Sequence, residues 1–188
     1  MTKMAYVDLI QGRVLKLDAF IKSMLEYSRN TRTPVSLEQI HFPALIEECL
    51  GELSSLRGIE RLKLSTHMRG ETFYSDPFRL KMIFSNLLSN AIKYQDFSKE
   101  ESFLKIGINI SPSQAAFTFE DNGVGIREAY QGNLFDMFFR ATDQSEGSGL
   151  GLYIVKQAVM ILQGSITLES KIGQGTLFRL SLPNFATT

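Results

Sequence analysis

The chain has 188 residues, enough for one well-buried domain with an accessory element or for two small domains. Twenty Lys and Arg balance twenty Asp and Glu, so the formal net charge is zero, and no basic tract or interleaved aromatic patch points to nucleic acid. No apolar run approaches membrane-spanning length, the first residues lack a signal-peptide pattern, and the lone Cys49 excludes an internal disulfide framework; a reducing, cytoplasmic setting is expected, the full-length protein being membrane-associated or not.

Val7, Ile10, Val14, Leu17, Ile21 and Met24 follow one another at spacings of 3, 4, 3, 4 and 3, the seam of a heptad pattern that Phe20, Leu25 and Tyr27 widen. A helix this apolar wants partners on two sides, which predicts a helical hairpin or dimeric bundle over residues 1–30. Folding back onto its own domain is the alternative. "SRNTRTPVS", residues 28–36, breaks the pattern with polar residues and Pro34, so residues 31–40 read as a linker and 41–188 as the main domain.

Beyond the linker, Pro43 opens a helix through "ALIEECLGEL", where the apolar neighbours of Cys49 make it an inert core thiol. Strand-like "RLKLSTHM" and the short "TFYSD" follow, then a long helix from Pro77 to the vicinity of Tyr94. Strands are expected over residues 104–110 and 115–120, a helix over 150–162, and two closing strands on either side of "KIGQGT". Strands and helices without a regular βαβ alternation indicate an α+β sandwich with a mixed sheet.

Four stretches carry potential chemistry. In "FSNLLSNAIKY", Asn86, Asn90 and Lys93 stand at i, i+4 and i+7, within a sector of about 60° at 3.6 residues per turn, with Tyr94 at its border. Two amides and an amine thus share one side of an otherwise apolar helix; unpaired buried amides are expensive, and a ligand or metal is one way to satisfy them. In "FEDNGVGI" a strand ends on Asp121, which could accept from an amino group of a base, while Gly123 and Gly125 would let a planar ring approach the backbone; an ordinary hairpin turn is the competing reading. "LFDMFFRATDQSEGSGLGL" reads as a mobile lid pinned at Phe135 and Phe138, with Arg140 able to reach a terminal phosphate.

The lid runs into Gly147, Ser148, Gly149, Leu150 and Gly151, a glycine ladder at the start of a helix, where free amides make an anion site. It lacks the Gly-Lys-Ser/Thr ending of a P-loop, Leu152 stands where a dinucleotide fingerprint needs glycine, and the companions of a protein-kinase glycine loop are absent. Finally, "GQGTLF" sets Gly173, Gly175 and Thr176 at a turn between strands.

In this order, these stretches resemble the N, G1, F, G2 and G3 boxes of the ATP-binding catalytic domain of sensor histidine kinases, over nearly the whole chain. The resemblance implies a two-layer α/β sandwich of the GHKL (Bergerat) type, shared with gyrase B and the Hsp90 chaperones, behind a long N-terminal helix. It implies that Asp121 binds the adenine amino group with Thr176 beside it. Asn90, with Asn86 nearby, would hold Mg²⁺, Lys93 and Arg140 would contact the phosphates of ATP, and the glycine ladder would supply the lid hinge and phosphate-facing amides. The ATPase relatives carry a Glu as water-activating base at the position of Asn86; an amide cannot take that proton, so phosphoryl transfer to a protein is favoured over hydrolysis.

The resemblance also implies an acceptor histidine in a His-Glu…Arg-x-Pro motif on the first helix of a dimerisation hairpin. His41 and His67 lack those neighbours, and Arg29 stands where that histidine would precede Pro34, so both histidines read as structural. Residues 1–30 then resemble the second hairpin helix, and the chain reads as a fragment of a longer sensor. The implied partners are the H-box hairpin of the same or a sister kinase, a response-regulator receiver domain, and a second copy through residues 1–30. An anti-sigma serine kinase, a gyrase-like clamp ATPase and a non-catalytic nucleotide-dependent scaffold are the rival readings.

Overall fold

The computed structural model describes residues 3–70, 72–141 and 148–185. A long helix α1 (Lys3–Arg32) leads into the domain; a short strand β1 (Glu38–Gln39) and helix α2 (Phe42–Glu52) follow. Next come β2 (Leu62–Arg69), β3 (Tyr74–Ser75) and the helix α3 (Pro77–Lys93). The remainder is β4 (Ser102–Ile110), β5 (Gln114–Asp121), a one-turn α4 (Glu128–Gln131), α5 (Gly151–Ile161), β6 (Ser165–Lys171) and β7 (Gly175–Pro183). The stretch expected as a linker is shorter than residues 31–40, because α1 runs to Arg32 and β1 pairs antiparallel with β3.

Five strands form a mixed sheet in the order β2-β4-β5-β7-β6, with β2 and β4 parallel and the other neighbours antiparallel. Period-two alternation decides which face is buried: Leu104, Ile106 and Ile108 of β4, Phe117 and Phe119 of β5, and Phe178, Leu180 and Leu182 of β7 face the helices. Charged pairs such as Lys105–Glu120 and Arg179–Glu169 lie on those strands and stay exposed. The α+β two-layer architecture expected from the sequence is therefore present.

The helices meet the sheet through an aromatic cluster. Phe84 of α3 lies edge-on to Phe117 and Phe119 at centroid separations of 6.0 and 5.0 Å, and Phe42 of α2 and Phe73 complete the group. Each buried ring contributes area and a favourable edge-to-face contact. Cys49 is fully buried among these residues, and burial pushes its thiol above the ordinary range, as befits a packing role.

Helix α3, which carries the amide stripe, starts sharply for a local reason. Asp76 caps it by accepting from Arg79 N at 2.9 Å, and Pro77 occupies the first turn, where its missing N–H is harmless. The same Asp76 pairs with Arg79 Nη1 at 2.5 Å, and Arg79 Nη2 donates to the carbonyls of Asn30 and Thr33 at 2.7 and 2.6 Å. A fully buried arginine thus fastens the end of α1 to the start of α3.

Helix α1 divides its apolar surface. Phe20, Met24 and Tyr27 pack against Phe78, Met82, Leu150, Tyr153 and Ile154, whereas Ile10, Val14, Leu17, Ile21 and Leu25 remain half or more exposed. One face thus folds back onto the domain and takes Met24 of the heptad seam with it, while Ile10, Val14, Leu17 and Ile21 of that seam stay open; the side chain of Val7 lies outside the described residues. No helix among the described residues is long and apolar enough to cross a membrane.

Candidate nucleotide site

Two turns meet at one carboxylate. The register of β5 and β7 sets Asp121 opposite Thr176, and Asp121 Oδ1 accepts from Gly123 N at 2.8 Å and from Thr176 N at 3.2 Å. Two backbone donors on one oxygen orient the group, while Oδ2 takes part in neither bond and can accept from a ligand. Burial pushes the Asp121 carboxyl above its ordinary value, and the two amides and the Lys99 ammonium partly offset that.

Gly123 and Gly125 have a structural reason of their own to be glycine. A Cβ at Gly123 would lie 2.3 Å from the Tyr94 carbonyl oxygen, and one at Gly125, where φ is +70°, would lie 2.0 Å from that of Lys171. Both glycines press against the protein's own backbone, closing the turn onto the end of α3 and onto β6. Thr176 Oγ1 lies 2.9 Å from Ser170 Oγ, so its side chain faces β6 while its amide holds Asp121.

That closure brings the amide stripe to the turn. Val124 N donates to the Tyr94 carbonyl at 3.0 Å, and Tyr94 N donates to that of Asn90 at 2.9 Å, so Asn90, Lys93 and Tyr94 end up beside the loop that follows Asp121. Lys93 and Tyr94 are exposed and the two asparagines half-buried. The expected unpaired buried amides are corrected at Asn86, whose Nδ2 donates to the Met82 carbonyl at 2.9 Å, four residues back on its own helix. Its Oδ1 faces α5: a Cβ on Gly151 would lie 2.7 Å from it.

Phe135 and Phe138, expected to pin the lid, both pack against other elements, but against different ones. Phe135 packs against the core, with Lys156 Nζ 6.0 Å from its ring centroid. Phe138 is 50% exposed, adopts φ +66°, and stacks on Phe20 of α1 at 6.0 Å; it ties the lid to the helix rather than to the core. Arg140 is exposed at the end of this segment. Gly147 lies outside the described residues. Ser148 Oγ donates to Ser23 Oγ of α1 at 3.1 Å and accepts from Leu150 N at 3.3 Å. Gly149, at φ +72°, lets the lid return under Phe138, whose amide donates to the Gly149 carbonyl at 3.1 Å. Fully buried Leu150 precedes α5, whose first-turn amides have no acceptor within the helix.

Among the described residues no group of three or more His, Cys, Asp or Glu could hold a metal by itself. The amide oxygens of Asn86 and Asn90 fit a hard Mg²⁺ that keeps water and takes its remaining ligands from phosphates. His41 Nδ1 accepts from Ala44 N at 3.4 Å and caps α2, and His67 is exposed on β2.

Sequence reasoning passed over three residues that frame the carboxylate. Asn122 Oδ1 accepts from Phe103 N and its Nδ2 donates to the Glu101 carbonyl, both at 2.8 Å, fastening the turn to β4. Ser170 Oγ accepts from Ile126 N at 2.9 Å and donates to the Gly175 carbonyl at 2.8 Å. Lys99 reaches the backbone of both turns. The tendency of Asn to clamp turns was a usable signal for Asn122; nothing local marks the other two.

Comparison with known proteins places the chain in a family. The family model described as histidine kinase-, DNA gyrase B- and HSP90-like ATPase matches residues 75–185. The methanogenesis regulatory histidine kinase FilI of Methanothrix harundinacea is 30% identical over 175 residues, which cover 93% of this chain and 20% of that protein. The solved mycobacterial sensor histidine kinase MprB aligns with a TM-score of 0.66 at 25% identity, over 79% of this chain and 98% of that one. Acinetobacter baumannii histidine kinase AdeS, 21% identical, shares the fold over 98% of this chain and 86% of its own, with a TM-score of 0.75. Because the matched segment is more than half of the sequence, the chain belongs to the histidine kinase-, DNA gyrase B- and HSP90-like ATPase family and carries the ATP-binding catalytic domain of a sensor histidine kinase.

Proposed function

We propose that this domain binds Mg·ATP and delivers the γ-phosphoryl group to a histidine on another polypeptide segment, as part of two-component signalling. The observation that carries the reading is the Asp121 carboxylate, oriented through Oδ1 by the Gly123 and Thr176 amides, with its second oxygen left for the adenine amino group. Asn90 and the Oδ1 of Asn86 ligate Mg²⁺ together with the phosphates, and Lys93 and Arg140 neutralise phosphate charge. The Tyr94 ring borders the nucleotide. Amides of Ser148 through Gly151, leading into α5, are offered to the β- and γ-phosphates; Gly147, assigned the same role from the sequence, lies outside the described residues.

In the transfer the bond from the γ-phosphorus to its bridging oxygen breaks, a phosphorus–nitrogen bond to imidazole forms, ADP leaves and the imidazole N–H proton is released. The domain contributes positioning and charge, and no carboxylate occupies the Asn86 position to activate water. His41 serves as a helix cap, which supports an acceptor outside this chain, on an H-box dimerisation hairpin that residues 1–30 would complete. From there the group would pass to a receiver domain. A cytoplasmic location suits both ATP and such partners.

Calorimetric titration with a non-hydrolysable ATP analogue, with and without Mg²⁺, tests the site. Binding to the wild type that disappears in Asn90→Ala and Asp121→Ala supports it, whereas a folded wild type that does not bind refutes it. Incubation with labelled ATP and an H-box hairpin then tests transfer; failure to label any such hairpin despite binding would leave a nucleotide-dependent scaffold as the function.

A further inference from the structure

We propose that Lys99 is a positioning residue for nucleotide binding, its ammonium pinning together the two turns that hold Asp121. This rests on the nucleotide reading above. Lys99 Nζ donates to the carbonyls of Asn122 at 2.6 Å, Gly173 at 2.7 Å and Gly123 at 3.4 Å. The first and third belong to the turn after β5, the second to the turn between β6 and β7. The turn after β5 supplies Gly123 N to Asp121 Oδ1, and the turn between β6 and β7 leads into Thr176 of β7, whose N is the second donor.

Carbonyl dipoles converging from two loops repel one another, and an ammonium with three donors is suited to hold them. The bland alternative, a surface lysine paired with the nearest carboxylate, does not describe Lys99. Glu100 and Glu101 follow it in sequence, yet Glu101 pairs with Lys63, while Lys99 turns inward and is half-buried. Backbone bonds hold its own loop, since Lys99 N donates to the Asp96 carbonyl at 3.1 Å, just past the end of α3. The ammonium therefore ties the helix bearing Asn90 and Lys93 to both turns at once. The two turns are also linked directly, by Gly173 N donating to the Val124 carbonyl at 2.9 Å, and Ile126 N donates to Ser170 Oγ of β6 at 2.9 Å.

The charge has a second effect. The charged groups acting on Asp121 are Lys99, which lowers its pKa, and Glu120, which raises it along with burial. Removing the ammonium both frees the turns and moves Asp121 ionisation to higher pH.

The test compares wild type, Lys99→Met and Lys99→Arg by calorimetry with a Mg²⁺-loaded non-hydrolysable ATP analogue and by carbon-13 NMR titration of the Asp121 carboxyl. Lys99→Met is expected to weaken binding about tenfold, the scale of one lost charge-assisted hydrogen bond, and to shift the Asp121 titration upward. Lys99→Arg is expected to leave that titration near its wild-type position and to recover most of the affinity. Thermal melting establishes that each variant is folded; Lys99→Gln, which keeps donors without the charge, substitutes if the Met variant is not. Wild-type affinity together with an unmoved Asp121 titration in Lys99→Met overturns the inference alone. A folded wild type that fails to bind overturns the nucleotide reading and this role with it.

Discussion

Gly151 and Asn86 touch across two helices: the space a side chain would fill on the first residue of α5 is taken by Asn86 Oδ1, 2.7 Å from an ideal Cβ. Gly151 has no positive φ at this first residue of α5, so alanine is compatible with the backbone there and Gly151→Ala displaces the amide without straining the helix start. The expected outcome is a melting temperature close to that of wild type and a loss of analogue affinity of about tenfold or more, equivalent to 1.4 kcal/mol. Calorimetry beside a thermal melt checks it. Unchanged affinity would mean that Asn86 need not stay where this contact holds it.

Asp121 is a residue the fold would be better without at neutral pH. Its pKa is raised in the folded chain, first by burial, so ionised Asp121 destabilises the native state above the raised folded value, and that burden disappears below the ordinary carboxylate value of 3.8. Asparagine can accept the same two amide bonds without charge. Asp121→Asn should therefore melt at or above wild type at pH 7, with the difference closing as pH falls below 3.8, while nucleotide binding is lost because a donor replaces Oδ2. Melts across pH paired with titration decide this; a variant less stable at pH 7 than in acid, relative to wild type, would contradict the sign.

Arg79 and Asp76 form an ion pair that is almost wholly out of solvent, and Arg79 also holds the last carbonyls of α1. Removing one partner leaves an uncompensated buried charge, a penalty of about 3–5 kcal/mol. Arg79→Met should lower unfolding stability by that amount in urea. It should also speed proteolysis in residues 28–36, because the carbonyls of Asn30 and Thr33 lose their anchor. A loss below 1 kcal/mol would mean water satisfies the site.

Much of this fold can be read from local pattern, and the departures share a cause. Helix α3 is announced by Asp76, Pro77 and an apolar stripe, and β4 and β5 by alternation, all of which depend on near neighbours. Phe138 is legible as a lid anchor because it is aromatic, but its partner is not, since Phe20 lies 118 positions away in sequence. Gly123 and Gly125 mark a close approach, and the backbone of Tyr94 and Lys171 makes one at each of them, 29 and 46 residues away in sequence. Lys99 carries no local signal, since its acceptors lie 23, 24 and 74 residues along the chain. Strand β1 is two residues long and exists only through its pairing with β3, so a polar linker is what its sequence resembles.

The two faces of α1 can be separated by mutation. Ile10, Val14, Leu17, Ile21 and Leu25 are between 50 and 62% exposed, a continuous apolar stripe, whereas Phe20, Met24 and Tyr27 are docked on the domain. An exposed seam at heptad spacing gains by pairing with a like helix. Sedimentation of the wild type is expected to reveal a concentration-dependent dimer. Leu17→Asp with Ile21→Asp should abolish it without lowering the melting temperature of the domain, because both side chains are half or more exposed. Met24→Asp should do the reverse to the domain: it drives a charge into the contact with Met82, Leu150 and Ile154 and should lower the melting temperature. A dimer that survives the double substitution would put the self-association surface elsewhere and leave the seam for a helix of another chain.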